Sequence, residues 1–180
     1  MHRRLARGLN TVVDATSVYA RDRAVLVDAA DAHTRAGAQR AAACMARELG
    51  SERMFSTSAR HDLLRSILTS EGREEEIRAY DAHYAPLTKR IGLDPAGKPP
   101  LGAQFISRAT PAGTALRSYT GSGAQVAVWC STLFGLTGQS ARQEIPVEDA
   151  WLTSMVWQDG QWRMADMEQK DGPEPGTAEA

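Results

Sequence analysis

The chain predicts an α+β fold, with helices first and then an antiparallel meander of about five strands. Three observations carry this. An Ala-rich and amphipathic stretch occupies the first half, the Pro/Gly-rich loop 94–100 divides the chain, and the region after it alternates with strand periodicity up to a hairpin at 151–167. Helices grouped before strands place the helices on one face of the sheet. The expected organisation is a basic arm at 1–23, poorly ordered, an α+β domain at 24–169, and a disordered tail at 170–180.

From about Arg23 to Glu48 the composition is Ala-rich, which favours helix. Ala38, Ala41, Ala42, Met45 and Leu49 have the spacing of one buried face. Gly37 weakens the middle, so the helix can start at Thr34, and Gly50 is a suitable stop. Ser56 or Thr57 can cap a second helix with Leu63, Leu64, Ile67 and Leu68 as its apolar face, ending near Ser70-Glu71-Gly72. A third begins at Arg73. Glu74, Glu75 and Glu76 lie in its first turn, where negative charge complements the helix dipole. Ile77, Tyr80, Tyr84, Leu87 and Ile91 form its core stripe. Pro86 is expected to break or kink it, and Gly92 to end it.

Gln104–Ala109 and Thr114–Tyr119 read as two short strands joined by a turn at Pro111-Ala112-Gly113. Ala124–Leu133 follows, apolar on both faces as a central strand is, with Val126, Val128 and Cys130 on one face and Ala127, Trp129 and Leu133 on the other. Gly135–Asp149 reads as a long connection. Asp159-Gly160 suits a two-residue hairpin turn, since both positions accept positive φ. The register then pairs Gln158 with Gln161, Trp157 with Trp162, Met155 with Met164 and Thr153 with Asp166. Trp151, Met155, Trp157, Trp162 and Met164 share one face and form the floor of the core. Trp157→Ala is expected to cost about 3–5 kcal/mol as a buried aromatic.

Composition narrows the function classes. Lys+Arg number 21 and Asp+Glu 22. That balance argues against a broad nucleic-acid surface. The Trp face is expected in the core rather than as a stacking platform, because Arg163, the one basic residue of the hairpin, points to the other face. Arg3, Arg4, Arg7, Arg21 and Arg23 make the arm basic, so membrane-surface contact through it is one reading. No run of about 18 apolar residues exists to span a bilayer. Asn10, Thr11, Asp14, Thr16 and Ser17 interrupt the place of a signal-peptide h-region, so no signal peptide is expected. As it stands the chain reads as cytoplasmic; an upstream anchor would make it extracytoplasmic. Cys44 and Cys130 each fall in an apolar-patterned element and are expected as buried free thiols. A bond between them would require an oxidising compartment.

No set of residues forms a catalytic, cofactor-binding or metal-binding signature. Asp81 and His83 diverge from Tyr80 and Tyr84 at helical spacing and are expected on a solvated face. Tyr80 and Tyr84 are expected in the core with their hydroxyls at a rim. Asp166 falls on the Trp face by register and is read either as a pocket base or as a strand-end residue. The pairs Asp31/His33 and Asp81/His83 share a spacing that diverges by about 200° on a helix, which does not converge on a metal. Gly121-Ser122-Gly123 and Gly135-Leu136-Thr137-Gly138 do not lead into a phosphate-binding helix.

A curved sheet wrapped around helices resembles the nuclear-transport-factor-2-like (cystatin-like) superfamily in architecture. A closer resemblance is carried by Arg90-Ile91-Gly92-Leu93-Asp94-Pro95, Val126-Ala127-Val128-Trp129-Cys130, Leu133-Phe134-Gly135-Leu136-Thr137-Gly138, Val156-Trp157-Gln158-Asp159-Gly160-Gln161-Trp162-Arg163 and Gln169-Lys170-Asp171-Gly172-Pro173-Glu174-Pro175. Over roughly Thr34 to Pro175 the pattern is similar to actinobacterial proteins associated with integrative and conjugative elements. These resemble extracytoplasmic domains of conjugation and type IV secretion scaffold proteins. The resemblance brings no catalytic residue. It implies a non-enzymatic interaction or assembly domain, with conjugation-apparatus proteins or a second copy as partner. Such domains sit behind a transmembrane helix, which this sequence does not show. The alternatives are a small-molecule-binding protein or enzyme using the cone cavity, and a membrane-surface protein held by the arm.

Overall fold

The computed structural model describes residues 32–137 and 147–171. The basic arm 1–23, Asp31, the segment 138–146 and the tail beyond Asp171 lie outside the described residues. Among the described residues, three helices and a short 3-10 turn precede four strands: α1 Arg35–Leu49, the 3-10 turn Glu52–Phe55, α2 Thr57–Ile67, α3 Arg73–Ile91, β1 Gln104–Tyr119, β2 Gly123–Thr137, β3 Val147–Gln158 and β4 Gln161–Asp171. The strands form one antiparallel sheet in the order β1-β2-β3-β4. The chain is therefore an α+β protein with a four-stranded meander.

Helix α1 starts where Gly37 and Thr34 suggest. The Thr34 hydroxyl accepts from the Gly37 amide at 3.0 Å, satisfying one of the free N–H groups of the first turn. Ala38, Ala42, Met45, Ala46 and Leu49 are buried. Because these side chains are mostly small, α1 comes close to β1 and β2. At its end, a Cβ on Gly50 would stand 2.3 Å from the Ala109 Cβ, so only glycine permits this approach.

Helix α2 ends at Ile67, short of the expected Ser70-Glu71-Gly72. Leu68 instead forms a parallel bridge with Met164 of β4, and the Thr69 amide donates to the Met164 carbonyl at 3.0 Å. The sheet edge captures these backbone groups before the helix can. Helix α3 runs unbroken through Pro86. The proline removes the partner of the Ala82 carbonyl, but both residues are exposed, so water can serve that carbonyl. Gly72 and Gly92 bound α3 with φ of 69° and 88°, conformations open to glycine without a Cβ penalty. Helix α3 packs chiefly on α2 and the 3-10 turn and so stands off from the sheet.

The two strands expected at 104–109 and 114–119 are a single strand, which leaves four strands rather than five. Pro111-Ala112-Gly113 makes a β-bulge instead of a reversal: Pro111 pairs with Cys130 and Gly113 with Trp129, leaving Ala112 extra. Proline is tolerated because β1 is an edge strand there. A second bulge leaves Arg117 extra between Leu116 and Ser118. Strand β2 continues to Thr137, β3 begins at Val147 and β4 reaches Asp171, so the expected connection and tail are both shorter than drawn from the sequence.

The hairpin turn forms as expected, with Asp159 at φ 53° and Gly160 at 78°. Gln158–Gln161, Trp157–Trp162 and Met155–Met164 pair as read. The next pair does not. A bulge at Ala165 pairs Ser154 with Asp166 and Thr153 with Met167. One extra residue reverses the facing of all that follow.

Val126, Val128 and Cys130 of β2 join Trp151, Met155, Trp162 and Met164 in the core beneath α1 and α2. Trp157 is only partly buried.

Candidate functional site: a cleft beneath helix α3

The stand-off of α3 leaves a cleft of about 570 Å³ between that helix and the inner face of the sheet. Tyr80, Tyr84 and Leu87 supply its roof, because they follow one another along one side of α3. Trp151 of β3, Ser107 of β1 and Phe134 of β2 supply the floor, and Leu49 and Phe55 close the back. Met167 and Gln169 of β4 complete the wall. The Ala165 bulge puts them there; regular alternation would have turned Asp166 inward instead.

Rings dominate the interior. Phe55 meets Tyr84 edge-on at 5.2 Å and Phe105 at 4.7 Å, while Tyr80 and Tyr84 stack at 6.4 Å. Burial raises the Tyr80 phenol well above its ordinary range, and the negative charges of Glu76 and Asp166 add to this. Burial also raises Tyr84, against a smaller opposite pull from the Arg60 guanidinium. Both phenols are thus held neutral.

The polar groups of the cleft are few. Ser107 donates its hydroxyl to the Gly50 carbonyl at 3.0 Å. Glu76 and His83 lie along α3, and no Lys or Arg stands among the described lining residues. The indole N–H of Trp151 is buried without an acceptor among the described residues, in a side chain only 4% exposed. An orphaned buried donor costs about 1–3 kcal/mol.

Helix α3 is braced from behind. Arg60 is buried in α2 and donates from Nε and Nη2 to Asp81 Oδ1 at 3.0 and 2.6 Å, and from Nη1 to the Met54 carbonyl at 2.6 Å. His61 Nε2 meets Asp81 Oδ2 at 2.8 Å. Partial burial pushes the Asp81 carboxyl upward, but the hydrogen bonds and charges of Arg60 and His61 outweigh it and leave it below the usual carboxylate value. The Arg60 guanidinium also lies 5.4 Å from the Tyr84 ring centre. The brace therefore positions the roof of the cleft.

At the far end of the sheet the Trp residues act differently. His33 stacks flat on Trp157 at 4.0 Å with an interplanar angle of 5°. Trp162 Nε1 donates to the Ala32 carbonyl at 2.9 Å, and Tyr119 donates its hydroxyl to the His33 carbonyl at 3.2 Å. This cluster ties the chain entering α1 to the hairpin.

The structure therefore redistributes the residues singled out in the sequence. Tyr80 and Tyr84 line the cleft as rim and roof. Asp81 is ion-paired and still partly exposed, and His83 is exposed on the cleft wall with its ring 5.4 Å from Tyr84. Asp166 is exposed and does not line the cleft. Of the Trp set only Trp151 reaches it. Cys130 is buried, but Cys44 is exposed, and no disulfide joins them. Among the described residues no His, Cys, Asp and Glu side chains gather as a metal site, and no helix is long and apolar enough to cross a membrane. Sequence reasoning missed Arg60, although its position three and four residues before Leu63 and Leu64 puts it on the apolar face of α2. It also missed Met167, because nothing local marks the bulge at Ala165.

By fold the chain is an α+β protein with its helices on one face of a four-stranded antiparallel sheet. The solved intermembrane space region of the chloroplast protein ARC6 is similar to it at 12% identity and a TM-score of 0.48, covering 77% of this chain and 98% of that one. No family model matches the chain, and no curated protein matches it.

Proposed function

We propose that this chain is a non-enzymatic binding protein whose cleft beneath α3 takes an apolar, ring-bearing molecule. The observation that carries this is the cleft itself: about 570 Å³, walled by Tyr80, Tyr84, Phe55, Phe134 and Trp151. Small-molecule sites are typically of about 300–1,000 Å³, mostly apolar, with few placed polar groups. The brace through Arg60 and Asp81 holds the roof in position before any ligand arrives, which lowers the cost of binding. The sheet curvature that a nuclear-transport-factor-2-like cone requires has a source in the bulges at Ala112, Arg117 and Ala165.

The test is saturable binding of 2-isopropenylnaphthalene, a neutral two-ring probe, to the intact chain, followed by NMR. Cleft residues such as Tyr80 and Tyr84 are expected to shift and saturate together. Ala79→Trp, which adds bulk at the cleft wall, is expected to abolish the response while the rest of the spectrum stays folded. Absence of saturation in the unaltered chain would reject the reading.

A second reading is an assembly domain associated with conjugative transfer. It is favoured by the resemblance of 90–95, 126–130 and 156–163 to proteins of conjugative elements. In that reading the cleft receives an aromatic side chain of a channel component. Cross-linking with the products of neighbouring genes tests it; a chain that captures none of them as a free monomer rules it out.

A further inference from the structure

We infer that the cleft takes ring compounds carrying a cationic head group, such as a substituted ammonium, and that Glu76 and the ring of Tyr80 receive that head group at the mouth. The inference rests on the reading of the cleft as a binding site and adds the charge of its occupant.

The first observation is an uncompensated carboxylate. Glu76 lines the cleft and is exposed, so a ligand can reach it. It stands one helical turn before Tyr80, on the same side of α3. Among the described residues no ion pair involves it. Arg73, three residues earlier, instead donates to the Thr69 and Leu68 carbonyls at 3.1 and 3.0 Å. Arg65 of α2 reaches Glu74 at 3.4 Å. Asp166 of β4 adds to the negative charge rather than cancelling it, since both carboxylates act on the Tyr80 hydroxyl.

The second observation is what the remaining walls offer a cation. Tyr80, Tyr84 and Phe134 line the cleft and are half-buried, so each keeps ring surface that a ligand can touch. The faces of such rings are electronegative and attract cations. No Lys or Arg stands among the described lining residues. The Arg60 guanidinium, 5.4 Å from the Tyr84 ring centre, is balanced by Asp81 at 2.6 Å. An anion would meet Glu76 and no counter-charge. A substituted ammonium matches both features at once, its alkyl groups against the rings and its charge beside the carboxylate.

The experiment titrates the full chain with three probes of one shape, followed by NMR. They are (2-naphthylmethyl)trimethylammonium, its neutral isostere 2-neopentylnaphthalene and anionic 2-naphthylmethanesulfonate, at mildly alkaline pH where imidazole carries no charge. The cation is expected to bind about fivefold tighter than the neutral isostere, and the sulfonate most weakly. Its N-methyl protons are expected to move upfield on binding, because a ring current shields groups that lie over the ring face. Glu76→Gln is expected to narrow the cation-to-neutral ratio about threefold. Glu75→Gln removes an equal charge from the same turn, outside the cleft lining, and is expected to leave the ratio in place. Equal or tighter binding by the neutral isostere, or tightest binding by the sulfonate, overturns the selection for cations and leaves the cleft a binding site. A ratio indifferent to Glu76→Gln, or lowered as much by Glu75→Gln, overturns the role of Glu76. An N-methyl signal that stays in place overturns the ring contact. If no probe binds, the cleft is not a binding site and the broader reading falls with this one.

Discussion

Trp157 and Trp162 face each other across the hairpin but carry different loads. Trp162 is 5% exposed and hydrogen-bonded through Nε1. Trp157 is partly buried and contributes one flat stack on His33. Pattern alone makes them equivalent, since both lie on the apolar face at paired positions. Trp162→Ala is therefore expected to cost about 3–5 kcal/mol, the range for a buried aromatic. Trp157→Ala is expected to cost clearly less, because its ring is less fully buried than that of Trp162 and an aromatic pair adds only about 0.5–1.5 kcal/mol beyond area. Equilibrium denaturation of the two variants checks the order; a larger loss at Trp157 would mean that the His33 stack, and not the floor of the core, holds the hairpin end. The identity of the buried ring was legible as a class of residue. Its rank was not, because rank depends on how far the segment before α1 reaches over the sheet.

At the scale of elements, close approach and bulges decide most of what the sequence leaves open. The end of α1 touches β1 where Gly50 faces Ala109, with room for no Cβ. Gly50→Ala is expected to push α1 away from β1 and destabilise the fold by about 1–3 kcal/mol, the usual cost of overpacking. Since the Ser107 hydroxyl donates to the Gly50 carbonyl, the same shift should loosen the cleft floor. Thermal unfolding reads the first effect. Were Gly50→Ala neutral, the contact between α1 and β1 would have to be softer than the geometry shows. Helix α1, its start near Thr34, the hairpin turn and the loop at 94–100 were all readable, each being set by residues a few positions apart. The continuity of β1 through Pro111 and of α3 through Pro86 was not. In both cases a local breaker is overruled by tertiary placement: an edge strand that does not need the missing N–H, and a helix face where water replaces it.

At the scale of the whole molecule, the cleft exists because α3 is held off the sheet by α2 and the 3-10 turn, and it survives only while that arrangement does. The tyrosines report on it. The folded state raises Tyr80 and Tyr84 above the ordinary phenol value of 10.0 by burying them. A group raised in this way contributes stability that is fully present below its ordinary pKa and is lost as pH rises through the folded value. The chain has four tyrosines. In an alkaline titration Tyr80 and Tyr84 are expected to stay neutral past the ordinary phenol range, and then to ionise together with loss of the fold. Tyr80→Phe should remove one of the delayed phenols. Phenolate absorbance followed beside circular dichroism measures both. Ionisation of Tyr80 and Tyr84 within the ordinary phenol range in a chain that remains folded would mean that the roof of the cleft is open to water.

The sequence by itself determined the class of fold, the order of its elements, the hairpin register next to the turn and the apolar faces that meet in the core. These follow from short-range periodicity and turn chemistry, which neighbouring residues settle between themselves. Only the tertiary structure decided that Met167 and not Asp166 faces inward, that Arg60 braces Asp81 beneath the roof, and that Trp151 is left with an unanswered N–H. The physical reason is the same in each case. A bulge, an ion pair between two helices and an orphaned donor are properties of how distant elements meet, and a single extra residue in β4 reverses the facing of everything beyond it.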